Sequence, residues 1–215
     1  YPLSQSDIAL ISTASSLHDI GKIAISEEIL NKPGRLTDEE FEIIKTHAAI
    51  GADILLSLPA DWQSIPLVRM AFEICRWHHE RYDGKGYPDG LKGEEIPVSA
   101  QVVALADVYD ALTSERCYKD AYSHEKAIEM ILAGQCGAFN PLMLECLLDI
   151  SSSLKKKMGY KSKERYEQTD LSDIASRFHD FEMDSSEKIV QQLEFERMRY
   201  NFLAEGSRNI VFTYT

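Results

Sequence analysis

Apolar positions recur at helical spacing through the first 150 residues and never settle into alternation there, which predicts short amphipathic helices joined by turns and an all-α domain. The first helix is expected from about Ser6 to Ile20, with Gly21 as its stop. Pro33-Gly34 makes a turn, after which Thr37 and Glu40 form a capping box with Leu36 and Phe41 at staple positions. A second helix therefore begins at Asp38, with Phe41, Ile44, His47, Ala48, Gly51 and Leu55 on one stripe. A third, from about Pro66 to Glu80, aligns Val68, Phe72, Cys75 and His79.

Residues 82 to 97 break the pattern: Gly84, Gly86, Gly90, Gly93, Pro88 and Pro97 are too turn-rich for a helix. Loops of this length inside compact domains commonly carry function. The next helix, Val98 to Ser114, is almost wholly apolar around Val102 to Val108 and is expected to be central and buried. Two more follow, at about Ser123 to Ala133 and Pro141 to Leu154, where the main core is expected to end. Residues 155 to 184 are polar and read as a linker. Ser185 to Glu205 reads as a long connector helix with a weak heptad pattern, a possible homodimer seam, and Asn209 to Thr215 as a strand of a further domain.

Charge narrows the function classes. The net charge of -12 lies entirely in residues 1 to 150, which hold 24 acidic and 12 basic side chains. So acidic a body is a poor binder of bulk nucleic acid, although metal ions could reverse the sign locally for a small anionic substrate. No apolar run approaches the length of a membrane span. The four cysteines form no CxxC pair, which suits reduced thiols and a cytoplasmic setting. The chain starts with Tyr1 rather than Met, so a longer parent protein is expected.

The candidate chemistry lies in His18, Asp19, His47, His78, His79 and Asp107, all beside or within apolar stripes. A lone histidine of this kind is usually a satisfied core side chain, but six spaced ligands together favour a site. Asp107, flanked by Ala106 and Val108, is expected to be buried and would cost several kcal/mol unless paired or bound to a metal. Imidazoles with carboxylates suit zinc, iron or manganese. Adjacent ligands point about 100° apart around a helix, so His18-Asp19 and His78-His79 can each serve two ions, the usual equipment for phosphoester hydrolysis. His179-Asp180 and His124 have no such companions and read as surface residues.

SLHDIGK at 16 to 22, NKPGRLT at 31 to 37, His47, HHERYDGKGYPDGL at 78 to 91 and ALADVYDALTSERCYK at 104 to 119 resemble the HD-GYP subgroup of the HD phosphohydrolase superfamily. The resemblance covers residues 1 to about 150. It implies an HD-domain helical bundle with two or three divalent ions, usually iron or manganese, that opens the bacterial messenger cyclic di-GMP to pGpG or GMP. It also implies that His18, Asp19, His47, His78, His79 and Asp107 are metal ligands, with Asp19 as a bridge. Lys22 would lie beside the scissile phosphate, and an ammonium there could steady developing charge or protonate the leaving oxygen. Gly86, Tyr87 and Pro88 would form the substrate loop, and Arg116 and Lys119 would hold the other phosphate.

Three departures qualify the resemblance. The family usually places one more His or Glu ligand on a helix about 30 residues before the HD pair; within Tyr1 to Leu17 only Asp7 has a suitable type, so either the ligand helix lies upstream of Tyr1 or the protein has lost it. Cys117 stands where proline is common, and Asn140 stands where aspartate is usual, a capping change. The last twenty residues faintly resemble the entrance to a PAS sensor domain. Two rival readings remain: an HD phosphohydrolase for another nucleotide, and a catalytically impaired module that binds messenger or protein partners.

Overall fold

The computed structural model of the chain describes residues 3–114 and 121–164. Every regular element among the described residues is helical: α1 (Gln5–Ala14), α2 (Glu27–Leu30), α3 (Asp38–Leu56), α4 (Ala60–Gln63), α5 (Pro66–Trp77), α6 (Val98–Thr113), α7 (His124–Leu132) and α8 (Pro141–Glu164). Short 3-10 turns occur at Ser15–Leu17, Ile20–Ala24 and Gly93–Glu95. The all-α bundle is as expected. The described residues up to Ser151 form one compact unit. Arg116, Cys117, Lys119, His179-Asp180, the connector helix and the terminal strand lie outside the described residues.

Local signals account for the helix starts. Thr37 Oγ1 accepts from the Glu40 amide at 3.2 Å while the Glu40 carboxylate accepts from the Thr37 amide at 2.7 Å, so α3 opens on the capping box read in the sequence. Pro66 occupies the first turn of α5, where no amide is needed. Asn140 caps α8: its Oδ1 accepts from the Leu142 amide at 3.0 Å, and its amide donates to Gln101 Oε1 at 2.9 Å.

α5 is the central strut, packed against α1, α3 and α6, with α7 on the far side of α6. Ile11, Ala14, Leu55, Ala71, Ile74, Cys75 and Val103 form the core where α1, α3, α5 and α6 meet. Complete burial of a side chain such as Ile74 stabilises by roughly 1.5 to 3 kcal/mol. Of the helices that form this core, α3, α5 and α6 also carry or end at His47, His78-His79 and Asp107.

Several expectations need correction. The first helix stops at Ala14 rather than Ile20, because the Ser15 and Ser16 hydroxyls donate back to the Ser12 and Thr13 carbonyls at 2.8 and 2.7 Å and compete with the helical ladder. Gly21 is no helix stop. It is the place where the Ile20–Ala24 turn presses on α3: a Cβ built there would lie 2.5 Å from Gly51 N and closer still to His47 O. α8 runs on to Glu164, since its lysines and glutamate are good helix formers whatever their polarity.

His124 is not a surface residue. Its Nδ1 lies 2.6 Å from the Tyr109 hydroxyl on α6 and its Nε2 lies 2.8 Å from Ser151 Oγ on α8, so one imidazole ties three helices. Replacing it with leucine strands the hydroxyl of Tyr109, a residue only 8% exposed, and the His124→Leu protein is expected to lose about 1 to 3 kcal/mol in urea denaturation. An unchanged midpoint would mean that the bridge contributes nothing.

Candidate metal centre

Four segments converge. His18 and Asp19 sit between the two 3-10 turns that follow α1, His47 lies midway along α3, His78 and His79 follow the last turn of α5, and Asp107 comes from α6. Asp19, His47, His78 and His79 each offer a ligating atom, and all four atoms lie within 4.8 Å of one another. The three histidines of this set are buried. Among the six ligand candidates, the structure thus gathers four tightly and sets His18 and Asp107 on one side.

Asp19 is the hub. Its Oδ1 lies 3.2 Å from His47 Nε2 and 3.9 Å from His78 Nε2, while its Oδ2 lies 3.3 Å from His18 Nε2 and accepts the Lys22 ammonium. His18 Nε2 is also 3.8 Å from Asp107 Oδ1. Asp107 is 16% exposed and its neighbour Ala106 faces solvent, so the carboxylate stands on the rim of the site rather than inside an apolar core. The all-round apolar sequence of α6 concealed this, because alanine fits either side of a helix.

Backbone contacts set the tautomers. His18 Nδ1 lies 2.7 Å from the Ser15 carbonyl, His47 Nδ1 2.6 Å from that of Ile44, and His78 Nδ1 2.9 Å from that of Ile74. A carbonyl only accepts, so each Nδ1 carries a proton; in His47 and His78 this turns an Nε2 lone pair toward Asp19, whereas His18 Nε2 faces Asp19 Oδ2 as a donor. The Nε2 atoms of His47 and His78 are 3.4 Å apart, two acceptors facing each other, and the buried Asp19 Oδ1 has no hydrogen bond of good geometry. Such a concentration of inward lone pairs is costly unless a cation takes them, and the donor set fits divalent metal binding.

The electrostatics agree. Burial alone would push the His18 pKa down, but the Asp19 and Asp107 carboxylates raise it to about 9. Burial likewise opposes charge on Asp19, yet His18 and Lys22 hold its pKa well below the usual carboxylate range. Burial, then the neighbouring imidazoles, depresses both His78 and His79. One side of the hub therefore collects positive charge and the other keeps neutral rings.

The Gly86-Tyr87-Pro88 loop is fastened to this centre. The Tyr87 ring stacks on His79 with centroids 4.8 Å apart at 24°, and the Tyr87 amide donates to the His79 carbonyl at 3.2 Å. Asp89 receives a two-pronged contact from Arg76 at 2.7 and 2.8 Å and another from Trp77 Nε1 at 2.7 Å. Gly86 lies so close to the α5 end that a Cβ there would be 2.6 Å from the Glu80 carbonyl carbon. Pro88 is exposed at the loop tip. Asp7 is remote in role, its carboxylate bound to Ser4 in the α1 capping box.

Sequence reading missed Lys45. Its ammonium lies 5.6 Å from the Tyr87 centroid and 5.0 Å from that of Phe41, two residues before His47, and it pairs with Glu42. Its spacing of two from a candidate ligand was the available signal, but an exposed helical Lys-Glu pair looks like an ordinary solvated face.

A family profile described as HD domain matches residues 2–139. The chain belongs to the HD domain family. Within it, the ordered HD pair and GYP loop make this an HD-GYP domain. The HD domain here is 46% identical over 143 residues to a cyclic di-GMP phosphodiesterase of Vibrio cholerae, covering 66% of this chain and 29% of that protein. It is 41% identical over 157 residues to the cyclic di-GMP phosphodiesterase response regulator RpfG of Xanthomonas campestris, covering 73% and 40%. A 3'3'-cGAMP-specific phosphodiesterase 2 of Vibrio cholerae is 41% identical over 149 residues, covering 69% and 28%. The chain therefore spans well under half the length of these curated relatives.

Proposed function

We propose that this HD-GYP domain is a metal-dependent phosphodiesterase that opens cyclic di-GMP to pGpG or GMP. The observation that carries the reading is the convergence of His18, His47 and His78 Nε2 atoms on the two oxygens of Asp19. The names of the relatives support the substrate class. No helix among the described residues is long and apolar enough to cross a membrane.

Asp19, His47, His78 and His79 would hold one divalent ion, and Asp19, His18 and Asp107 would hold a second, iron or manganese in each case. Such ions supply Lewis acidity at the phosphoryl oxygens and activate water for attack on phosphorus. Lys22, 4% exposed and paired with Asp19 Oδ2, holds a proton at Nζ beside the position for the scissile phosphate and can pass it to the departing 3′ oxygen. Tyr87, held against His79, presents its hydroxyl to the substrate, and Lys45 adds positive charge beside it. Arg116 and Lys119, by their motif, would hold the non-scissile phosphate.

The test is direct. Full-length protein prepared anaerobically with iron or manganese should convert cyclic di-GMP to a linear product that anion-exchange chromatography resolves. Because one relative is named for 3'3'-cGAMP, that dinucleotide is the proper competitor, and faster turnover of it would reassign the substrate. Tight binding of cyclic di-GMP with no turnover by metal-replete protein would overturn the hydrolase reading in favour of a binding module.

A further inference from the structure

Glu80 follows His79 directly, yet it is not a ligand candidate and plays no part in the chemistry above. It is 6% exposed, an unusual place for a carboxylate. Its Oε1 accepts from the amides of Asp89 at 2.7 Å and Gly90 at 2.9 Å, reaching across to the far side of the Gly86-Tyr87-Pro88 loop. Its Oε2 is buried without a hydrogen bond of good geometry, the Leu91 amide also faces the carboxylate, and the residue lines a small cavity with Tyr82, Gln101 and Asn140. A buried carboxylate with one oxygen unsatisfied costs stability, and a neutral residue would fill the space more cheaply.

What the carboxylate accomplishes is registration. The backbone runs from His78 and His79 into Glu80, turns away through residues 81–85, and returns with Tyr87 against the His79 ring. Two amides just beyond Tyr87 are then captured by Glu80, so the returning strand of the loop is measured off from the ligand pair by a single side chain. Arg76 and Trp77 hold Asp89 from outside through its side chain, whereas Glu80 holds the backbone from within. The outer clamp holds a side chain through half-buried partners, whereas the inner one holds the peptide groups themselves.

We propose that Glu80 is a positioning residue that locks the Tyr87 loop in register with the His78-His79 pair, so that the aromatic contact and the metal-facing imidazoles move as one body. The effect on catalysis rests on the hydrolase reading, but the mechanical claim does not. Disturbing Glu80 loosens Tyr87 while leaving the Nε2 atoms free to hold their ions.

The test compares Glu80→Ala and Glu80→Gln in full-length protein by amide hydrogen exchange, metal content and steady-state kinetics. Glutamine keeps an acceptor oxygen for both amides. In the alanine protein the amides of Asp89 and Gly90 should exchange about 100-fold faster, with metal content unchanged and kcat/KM down by roughly 10- to 100-fold, the scale seen when groups that orient a metal site are lost. The glutamine protein should restore both the protection and most of kcat/KM. Should the alanine protein not fold, Glu80→Asp, which draws the carboxylate back by one methylene, must show the same fast exchange. Unaltered protection of Asp89 and Gly90 in the alanine or aspartate protein would overturn the proposal, as would a glutamine protein as loose as the alanine one. A wild-type protein that cleaves no cyclic dinucleotide would defeat the hydrolase reading alone, because the exchange comparison needs no turnover.

Discussion

Asp19→Asn is expected to leave a protein that binds substoichiometric metal and hydrolyses cyclic dinucleotide at least about 10³-fold more slowly than wild type. Loss of one group aimed at transition-state charge already costs 10²- to 10³-fold, and this carboxylate faces both proposed ion positions at once. Its Oδ1 meets His47 and His78, its Oδ2 meets His18 and Lys22, and an amide can supply neither the charge nor a second acceptor. The same substitution leaves the buried Lys22 ammonium without its carboxylate, which should destabilise the fold by about 3 kcal/mol. Pairing it with Lys22→Met separates the two effects: the double variant should recover denaturation midpoint but neither metal nor turnover. Elemental analysis and urea melts check this, and full metal occupancy in Asp19→Asn would remove Asp19 from the hub.

Gly21→Ala is expected to be among the most damaging single methyls at the described glycines. The new Cβ would sit 2.5 Å from Gly51 N and closer to His47 O, so it meets backbone on a packed helix rather than a side chain that could rotate away. The Ile20–Ala24 turn and α3 must separate, at about 3 kcal/mol or more, near the upper range for overpacking. The separation carries Asp19 away from His47, so metal affinity should fall with stability. Gly93→Ala is the control: there φ is +60° with nothing within 4 Å of the added Cβ, and only the backbone preference, about 1 kcal/mol, is at stake. Equal denaturation midpoints for the two alanine variants would show that the contact of the turn with α3 is not tight.

What sequence made visible was whatever depends on a few neighbouring residues. The Thr37-Glu40 box placed the start of α3, Pro66 that of α5, and Asn140 that of α8, because caps are local hydrogen-bond chemistry. The six ligand candidates stood out by type and by their setting in apolar stripes. Long-range closeness left no such trace. Gly21 looked like a helix stop because nothing in the sequence says that α3 comes up against it, and His124 looked like surface because Tyr109 and Ser151 are far along the chain. Asp107 looked buried because alanine beside it carries no information about which side of α6 meets water. Lys45 and Glu80 stayed hidden as ordinary charged residues until the GYP loop was seen to fold back over them.

The carbonyls that fix His18, His47 and His78 come from residues three or four places earlier in each histidine's own segment. Each ring is thus anchored at Nδ1 by its own short stretch of backbone, and only its Nε2 side depends on partners elsewhere. Segments that touch neither these rings nor Asp19 and Asp107 can therefore vary with little effect on the ligand set, so selectivity among nucleotides becomes a property of the periphery. A scaffold organised this way can change its diet over evolution while its set of ligands stays the same.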